Sequence, residues 1–289
     1  MKAADFIYHK PADVAEAVRY LEDYDGGARV LAGGQSLAPM LNMRLWRPAA
    51  LIDINGLSEL TRLESAGEGT RIGALVRHAE VEDSPLIAER LPLLAAMVRY
   101  VGDRQVRNRG TIGGSLVQGD PTGEMPLACL VLGAEIGVTG PAGTRGIAME
   151  EFYAGAYAAR IEADELVTEI RFAEHPPHFA FHEVCRRHND FAVLSVAATG
   201  SVSGEGVWRN IRIGLGGVHE TPVLARDAMV AAEGGALSDA EIAAAGEATL
   251  SAIQPPSDVR ASAEYRAHLV PRYVARALRD LRALAGGGA

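Results

Sequence analysis

The sequence predicts an α+β protein with more than one packed unit, on three observations. Its 289 residues exceed what one small core organises. Residues 1–56 follow a strand–helix–strand pattern with a Gly-Gly turn inside it. Strand-like runs beyond residue 178 give way to Ala-rich helical runs, and strands followed by helices read as α+β.

The elements follow in order. Phe6-Ile7-Tyr8 reads as a short strand. Pro11 opens a helix with Asp13 in its first turn, where a carboxylate suits the positive end of the helix dipole. Val14, Ala17, Val18 and Leu21 share one face of it. Gly26-Gly27 ends the helix, Arg29 to Ala32 forms the next strand, and Gly33-Gly34 turns the chain. Leu51 to Ile54 is a third strand, stopped by Asn55-Gly56. The texture then changes. Arg71 to Val76 is strand-like, and Leu86, Ile87, Leu91, Leu94, Met97, Val98 and Val101 predict one helix over 85–101, closed by Gly102. A second glycine turn follows at Gly113-Gly114, with strands at Ile136 to Val138 and Leu166 to Phe172. Pro176-Pro177 marks a boundary, which divides the chain into 1–56, 57–175 and 176–289. In the last block Phe179 to Val184, Ala192 to Val202 and Val207 to Gly214 form a three-stranded antiparallel meander. Helices over Asp239 to Ile253 and Ala263 to Leu284 complete it, the second kinked or split by Pro271. Gly286 to Ala289 is expected to fray.

Composition narrows the function classes. The formal net charge is −9, with 48% hydrophobic and 22% charged residues, the profile of an ordinary globular protein. Dispersed Lys and Arg on an acidic chain argue against nucleic-acid binding. Cys129 and Cys185 are the two cysteines; they cannot build a disulfide scaffold, show no metal-ligand spacing, and suit a reducing compartment. The start lacks an apolar signal core, and the longest apolar run, Leu127 to Leu132, cannot span a bilayer. A cytoplasmic protein is the expectation, with any iron or zinc chemistry supplied by something else.

The informative feature is a pair of similar segments, Ala32-Gly33-Gly34-Gln35-Ser36-Leu37 and Thr111-Ile112-Gly113-Gly114-Ser115-Leu116. Glycines let backbone approach a ligand closely, consecutive N–H groups in such turns form an anion-binding concavity, and Ser36, Thr111 and Ser115 add donors. Two such loops can clamp a pyrophosphate without a lysine, and a pyrophosphate implies a dinucleotide. Neither segment fits Gly-x-Gly-x-x-Gly or Gly-x-x-x-x-Gly-Lys-Ser/Thr. Gly34-Gln35-Ser36-Leu37-Ala38 also imitates a nucleophile elbow with Ala in the last place, which keeps a serine hydrolase as a competing class.

At these segments the sequence resembles the FAD-binding medium subunits of molybdenum hydroxylases, the group of xanthine dehydrogenase, aldehyde oxidases and molybdenum carbon-monoxide dehydrogenases. The resemblance rests on Ala32 to Leu37 with Pro48 and Leu51 to Ile54, and on Gln105 to Leu116 followed by Asp120-Pro121. It continues through Asp190-Phe191-Ala192 and Ser262-Ala263-Glu264-Tyr265-Arg266. It implies a two-part FAD-binding region, a small β-α-β unit plus a larger α+β subdomain, followed by a flavoprotein domain of three antiparallel strands with a helix bundle. It further implies that Ala32, Gly33, Gly34, Gln35, Ser36 and Leu37 bind the FAD diphosphate and adjoining chain, with Thr111, Gly113, Gly114 and Ser115 as the opposite wall. Asp120 or Glu124 would accept hydrogen bonds from hydroxyls, and Leu166 or Val167 would supply apolar surface. Phe191 either covers the flavin or is an ordinary core aromatic. His182 stands where some relatives carry lysine, and a solvated strand residue is the preferred reading. The implied partners are a small subunit with two [2Fe–2S] clusters and a large molybdopterin subunit, assembled as a dimer of heterotrimers. This chain would then relay electrons to an external acceptor, with no catalytic residue or metal of its own. A stand-alone FAD oxidoreductase is the alternative.

Departures from the family pattern matter too. Gln35 replaces a common histidine, so a proton-transfer role does not carry over. Two cysteines are too few for an inserted cluster ligated by cysteines alone. Arg104, Arg107 and Arg109 face a phosphate or acidic partner, or form a solvated basic turn.

Overall fold

The computed structural model describes residues 2–174 and 176–286; most of the expected frayed tail, 287–289, lies outside them. In chain order the first elements are β1 (Ile7–His9), α1 (Val14–Asp23), β2 (Ala28–Leu31), α2 (Leu37–Asn42), β3 (Ala50–Asp53), β4 (Leu63–Ala66) and β5 (Gly69–Gly73). Next come α3 (His78–Asp83), α4 (Pro85–Arg90), α5 (Pro92–Met97), α6 (Arg104–Arg107), α7 (Ile112–Gln118) and α8 (Glu124–Val131). β6 (Glu135–Gly140), β7 (Gly143–Ala148), β8 (Tyr153–Gly155), β9 (Ala158–Ala159) and β10 (Leu166–Phe172) follow. The chain ends with β11 (His178–Val184), β12 (Leu194–Val202), β13 (Trp208–Gly216), β14 (Val223–Leu224), α9 (Arg226–Ala232), α10 (Asp239–Ala248) and α11 (Ala263–Gly286). These elements interleave into two compact units. The first holds the chain up to Ser84 with Asp103–Gln118 and Ala134–Ala173; the second holds Pro85–Gly102, Gly119–Gly133 and the chain from Glu174 onward.

In the first unit a parallel sheet of order β1-β3-β2 forms the start. Asp13 caps α1, accepting the Glu16 N–H at 2.8 Å, a role that short carboxylates fill well. Ala17, Val18 and Leu21 are buried, clustered with Ala28, Ala50, Ile52, Leu75 and Leu166. Parallel strands open their carboxyl ends at one edge, where loops are free to meet ligands. β2 runs there into Gly33-Gly34 and β3 into Asn55. The antiparallel sheet β4-β5-β10-β6-β7 completes the unit. Only Arg71 to Gly73 of the expected 71–76 strand lies in it. The Ala74 N–H turns to the Thr168 carbonyl at 3.0 Å and the Val76 carbonyl accepts the Ile112 N–H at 3.1 Å, which steers the segment to the second glycine pair.

In the second unit the expected meander, β11-β12-β13, carries the short β14 on its edge. α8 is buried from Met125 to Val131. It packs on β13 at Gly214, where a Cβ would lie 2.3 Å from the Val131 side chain. Arg212 donates to the Val131 and Leu130 carbonyls at 2.7 and 2.9 Å, satisfying helix-end acceptors that lack intrahelical partners. The helix expected over 85–101 is broken. Pro92 starts α5, and Leu91 before it leaves the helical region at φ −132°, ψ 57°, as residues preceding proline do. By contrast α11 is not split at Pro271. One N–H is lost there, while Leu269, Val270, Val274, Leu278 and Leu281 are buried on both sides, and tertiary packing of an apolar face outweighs one missing bond.

Candidate functional site

The first loop leaves β2 at Leu31 and reaches α2 at Leu37. Gly34 takes φ +71°, a conformation glycine adopts without cost. Gly33 is buried, and a Cβ on it would lie 2.2 Å from the Arg109 carbonyl oxygen and 2.9 Å from Gly110 Cα. Ala32 is half-buried, and its carbonyl accepts from Asn55 Nδ2 at 2.8 Å. Among the described residues, the backbone N–H groups of Gly33 through Leu37 make no hydrogen bond to the protein. Ala38 N–H turns back to the Gly34 carbonyl at 2.9 Å. Gln35 is exposed and donates from Nε2 to the Gly33 carbonyl at 3.1 Å. Ser36 stands at the N-cap of α2 without a side-chain cap bond. Successive free N–H groups around a positive-φ glycine are the donor set an anion requires. Ser36 has no histidine or carboxylate partner among the described residues, so the nucleophile-elbow reading gains nothing.

The second glycine pair is not a turn. Gly113 and Gly114 lie in the first turn of α7. Thr111, 2% exposed, caps that helix: its Oγ1 accepts the Gly114 N–H at 3.1 Å and its carbonyl the Ser115 N–H at 3.0 Å. The Gly113 N–H goes to the Ala74 carbonyl at 3.0 Å, and a Cβ there would sit 2.6 Å from Ala74 Cβ. Gly114 is exposed and Ser115, which carries the segment's remaining hydroxyl, is half-buried. Ser115 Oγ is 3.0 Å from Nε2 of His78, which is buried. Burial pushes the His78 imidazole down to about 4, so it is neutral at neutral pH.

Residues outside the sequence-based set tie the two segments together. Asn55 donates to the Ala32 carbonyl and accepts from Arg77 Nη2 at 2.7 Å, while Arg77 Nη1 donates to the Arg109 carbonyl. Asp53 accepts from the Asn55 N–H at 3.0 Å and from the Tyr8 hydroxyl. Burial works against its charge, but the bonds from Tyr8 and Asn55 hold its carboxyl below the usual range. The arginine cluster before the second segment is mostly structural. Arg107, 8% exposed, donates from Nε to Glu82 at 2.8 Å. Arg104 pairs with Glu82 at 2.8 Å and with Asp83. Leu166 and Val167, at the start of β10, are both buried.

The remaining expected residues belong to the second unit. Asp120 Oδ1 accepts from the Thr122 N–H at 2.9 Å and the Thr122 hydroxyl at 2.8 Å. Glu124 opens α8; burial pushes its carboxyl up to about 8, with the Glu183 charge adding to the shift. Burial raises Glu183 to about 7, against bonds from Ser195 and Cys185. Phe191 is 54% exposed with the Arg260 guanidinium 4.7 Å over its ring, so it is no core aromatic. His182 is bonded to Asp280 at 2.7 Å, which corrects its reading as a solvated strand residue. Cys129 is buried, and burial raises its thiol far above the usual range. Among the described residues no group of three or more His, Cys, Asp or Glu could hold a metal ion. Among them, too, no helix is long and apolar enough to cross a membrane.

Residues 3–173 match the FAD binding domain in molybdopterin dehydrogenase, and residues 179–281 match the CO dehydrogenase flavoprotein C-terminal domain. The nicotine 6-hydroxylase medium subunit of Paenarthrobacter nicotinovorans is 36% identical over 278 residues, 96% of this chain and 98% of that one. Carbon monoxide dehydrogenase from Hydrogenophaga pseudoflava superposes with a TM-score of 0.95 at 35% identity, covering 98% of this chain and 99% of that one. Quinoline 2-oxidoreductase from Pseudomonas putida 86 gives 0.94 at 33% identity, covering 99% of each. The fold and the double-glycine site thus define a flavoprotein component of an oxidoreductase. The chain belongs to the FAD-binding medium subunits of the molybdenum hydroxylases.

Proposed function

We propose that this chain is the electron-transfer subunit of a multi-subunit molybdenum hydroxylase, standing between the [2Fe–2S] clusters of a small partner subunit and an external acceptor. A large partner subunit carries the molybdopterin and oxidises the substrate. The assembly is a dimer of heterotrimers located in the cytoplasm. For this role the chain divides into FAD-binding parts at 1–56 and 57–175 and a flavoprotein domain at 176–289.

One observation carries the reading: five successive N–H groups, Gly33 through Leu37, have no protein partner among the described residues. A diphosphate matches that donor set in charge and extent. FAD, when bound, exchanges electrons singly with an iron–sulfur centre and in pairs with an acceptor. The protein's part is binding and placement. The loop amides hold the diphosphate, the Ser36 hydroxyl adds a donor, and Ser115 contributes a second hydroxyl oriented by neutral His78. Thr111, Gly113 and Gly114 shape the α7 wall behind it. For Asp120, Glu124 and Phe191, carried by the second unit, and for Leu166 and Val167, the assignment to FAD rests on the resemblance. Purification of the native assembly tests the role. Co-purifying iron–sulfur and molybdenum subunits, with FAD extracted from this chain, are the expected result. A monomeric chain that oxidises a small substrate unaided would overturn it.

A further inference from the structure

We propose that Asn55 and Arg77 are positioning residues: together they form a clasp that sets the spacing of the two loops around the diphosphate. The inference rests on the FAD reading for its purpose, but its geometry lies wholly within the first unit. Asn55 Nδ2 donates to the Ala32 carbonyl at 2.8 Å and to the Leu31 carbonyl at 3.3 Å, gripping the chain just before Gly33. Its Oδ1 accepts from Arg77 Nη2 at 2.7 Å. The other arm of the same guanidinium donates to the Arg109 carbonyl, the group on which Gly33 rests too closely for any Cβ. One planar fork therefore fixes both sides of the Gly33 contact.

The clasp is itself anchored at both ends. Asn55 Nδ2 also reaches Asp53 Oδ1 at 2.6 Å, at the end of β3. Arg77 pairs through its backbone with Thr111, and the following His78 N–H donates to the Gly110 carbonyl at 3.0 Å. The chemistry explains the residue types. A side-chain amide carries both a donor for the carbonyls and an acceptor for the guanidinium. Only the arginine fork serves two acceptors in a fixed plane, which lysine cannot do.

The test uses the full chain with Asn55→Ala, Arg77→Gln and the double variant; Asn55→Ser is a milder substitute if Asn55→Ala does not fold. FAD binding is read by flavin fluorescence, and amide hydrogen exchange is read without FAD. Each single variant is expected to bind FAD about tenfold more weakly, the scale of one charge-assisted hydrogen bond. The double variant should lose no more than either single. Without FAD, exchange should quicken at Ala38, Ile54 and His78, whose N–H groups bond to Gly34, Leu31 and Gly110. Unchanged exchange in both variants overturns the clasp, as do additive binding losses or undiminished FAD binding. If exchange quickens while the wild-type chain takes up no FAD even with partner subunits present, the FAD reading fails and the clasp stands.

Discussion

Gly33-Gly34 leaves a run of N–H groups open to a ligand, whereas Gly113-Gly114 spends its N–H groups inside the fold, on the Ala74 carbonyl and the Thr111 hydroxyl. The same dipeptide thus does two jobs. In the first loop glycine permits a positive φ and a backbone contact across to Arg109. In the second it permits α7 to pack on Ala74, and the group proposed to meet the ligand is the Ser115 hydroxyl. A pair of similar motifs need not be a pair of similar sites; where the N–H groups go decides it.

The largest effects are expected at the two buried glycines, Gly33 and Gly113. Gly33→Ala and Gly113→Ala should each destabilise the fold by about 3 kcal/mol through overpacking, read as a lower denaturant midpoint. Gly33→Ala should also abolish FAD retention, while reconstituted Gly113→Ala should retain it better. The reverse order of FAD loss would exchange the roles of the loops.

A second contrast lies between the buried groups of the two units. His78, at about 4 when folded, stays neutral while the unfolded imidazole protonates near its ordinary value. Between those values the unfolded chain binds more protons, so stability is present above the ordinary value and is lost as pH falls. Relative to His78→Gln, the wild type should lose about 2 kcal/mol between pH 7 and pH 5 in denaturant titrations. Glu183, at about 7, and Glu124, at about 8, have the opposite sign. They bind protons that the unfolded carboxyls have released, so stability is lost as pH rises from the ordinary carboxylate range. Glu183→Gln should flatten that limb, and a parallel pH profile in the variant would contradict the burial.

Smaller effects are expected at Gly34 and Ser115. Gly34→Ala should cost about 1 kcal/mol of stability from its positive φ and weaken FAD binding without a core clash. Ser115→Ala should cost about 1 kcal/mol of stability, because buried His78 Nε2 loses its partner, and weaken FAD binding by about 1 kcal/mol, one net hydrogen bond. Equal FAD affinity in Ser115→Ala would remove the hydroxyl from the site.

Much of the fold was legible where pattern and propensity agree. The face of Val14, Ala17, Val18 and Leu21, the Asp13 signal and the three-stranded meander are read directly from spacing. The misreadings have single physical causes. Pro92 breaks a helix that apolar spacing joined, and Pro271 fails to split one because packing holds both halves. Gly113-Gly114 looks like a turn unless Thr111 is recognised as an N-cap two residues earlier. In the site, the glycine segments carried a local signal, whereas Asn55 and Arg77 carried none. Their role comes from separations of more than twenty residues closed by the fold, a relation no short motif encodes. The basic run at Arg104 and Arg107 misleads for the same reason, because Glu82 and Asp83 neutralise it from another helix.

The Gly33–Leu37 amides are proposed to hold the FAD diphosphate. Amide hydrogen exchange of the full chain with and without FAD tests it most directly. Marked slowing across residues 33–37 is expected on FAD addition, with little change at Gly113 and Gly114, whose N–H groups are already bonded within the protein. FAD uptake that leaves exchange at 33–37 unchanged would contradict it.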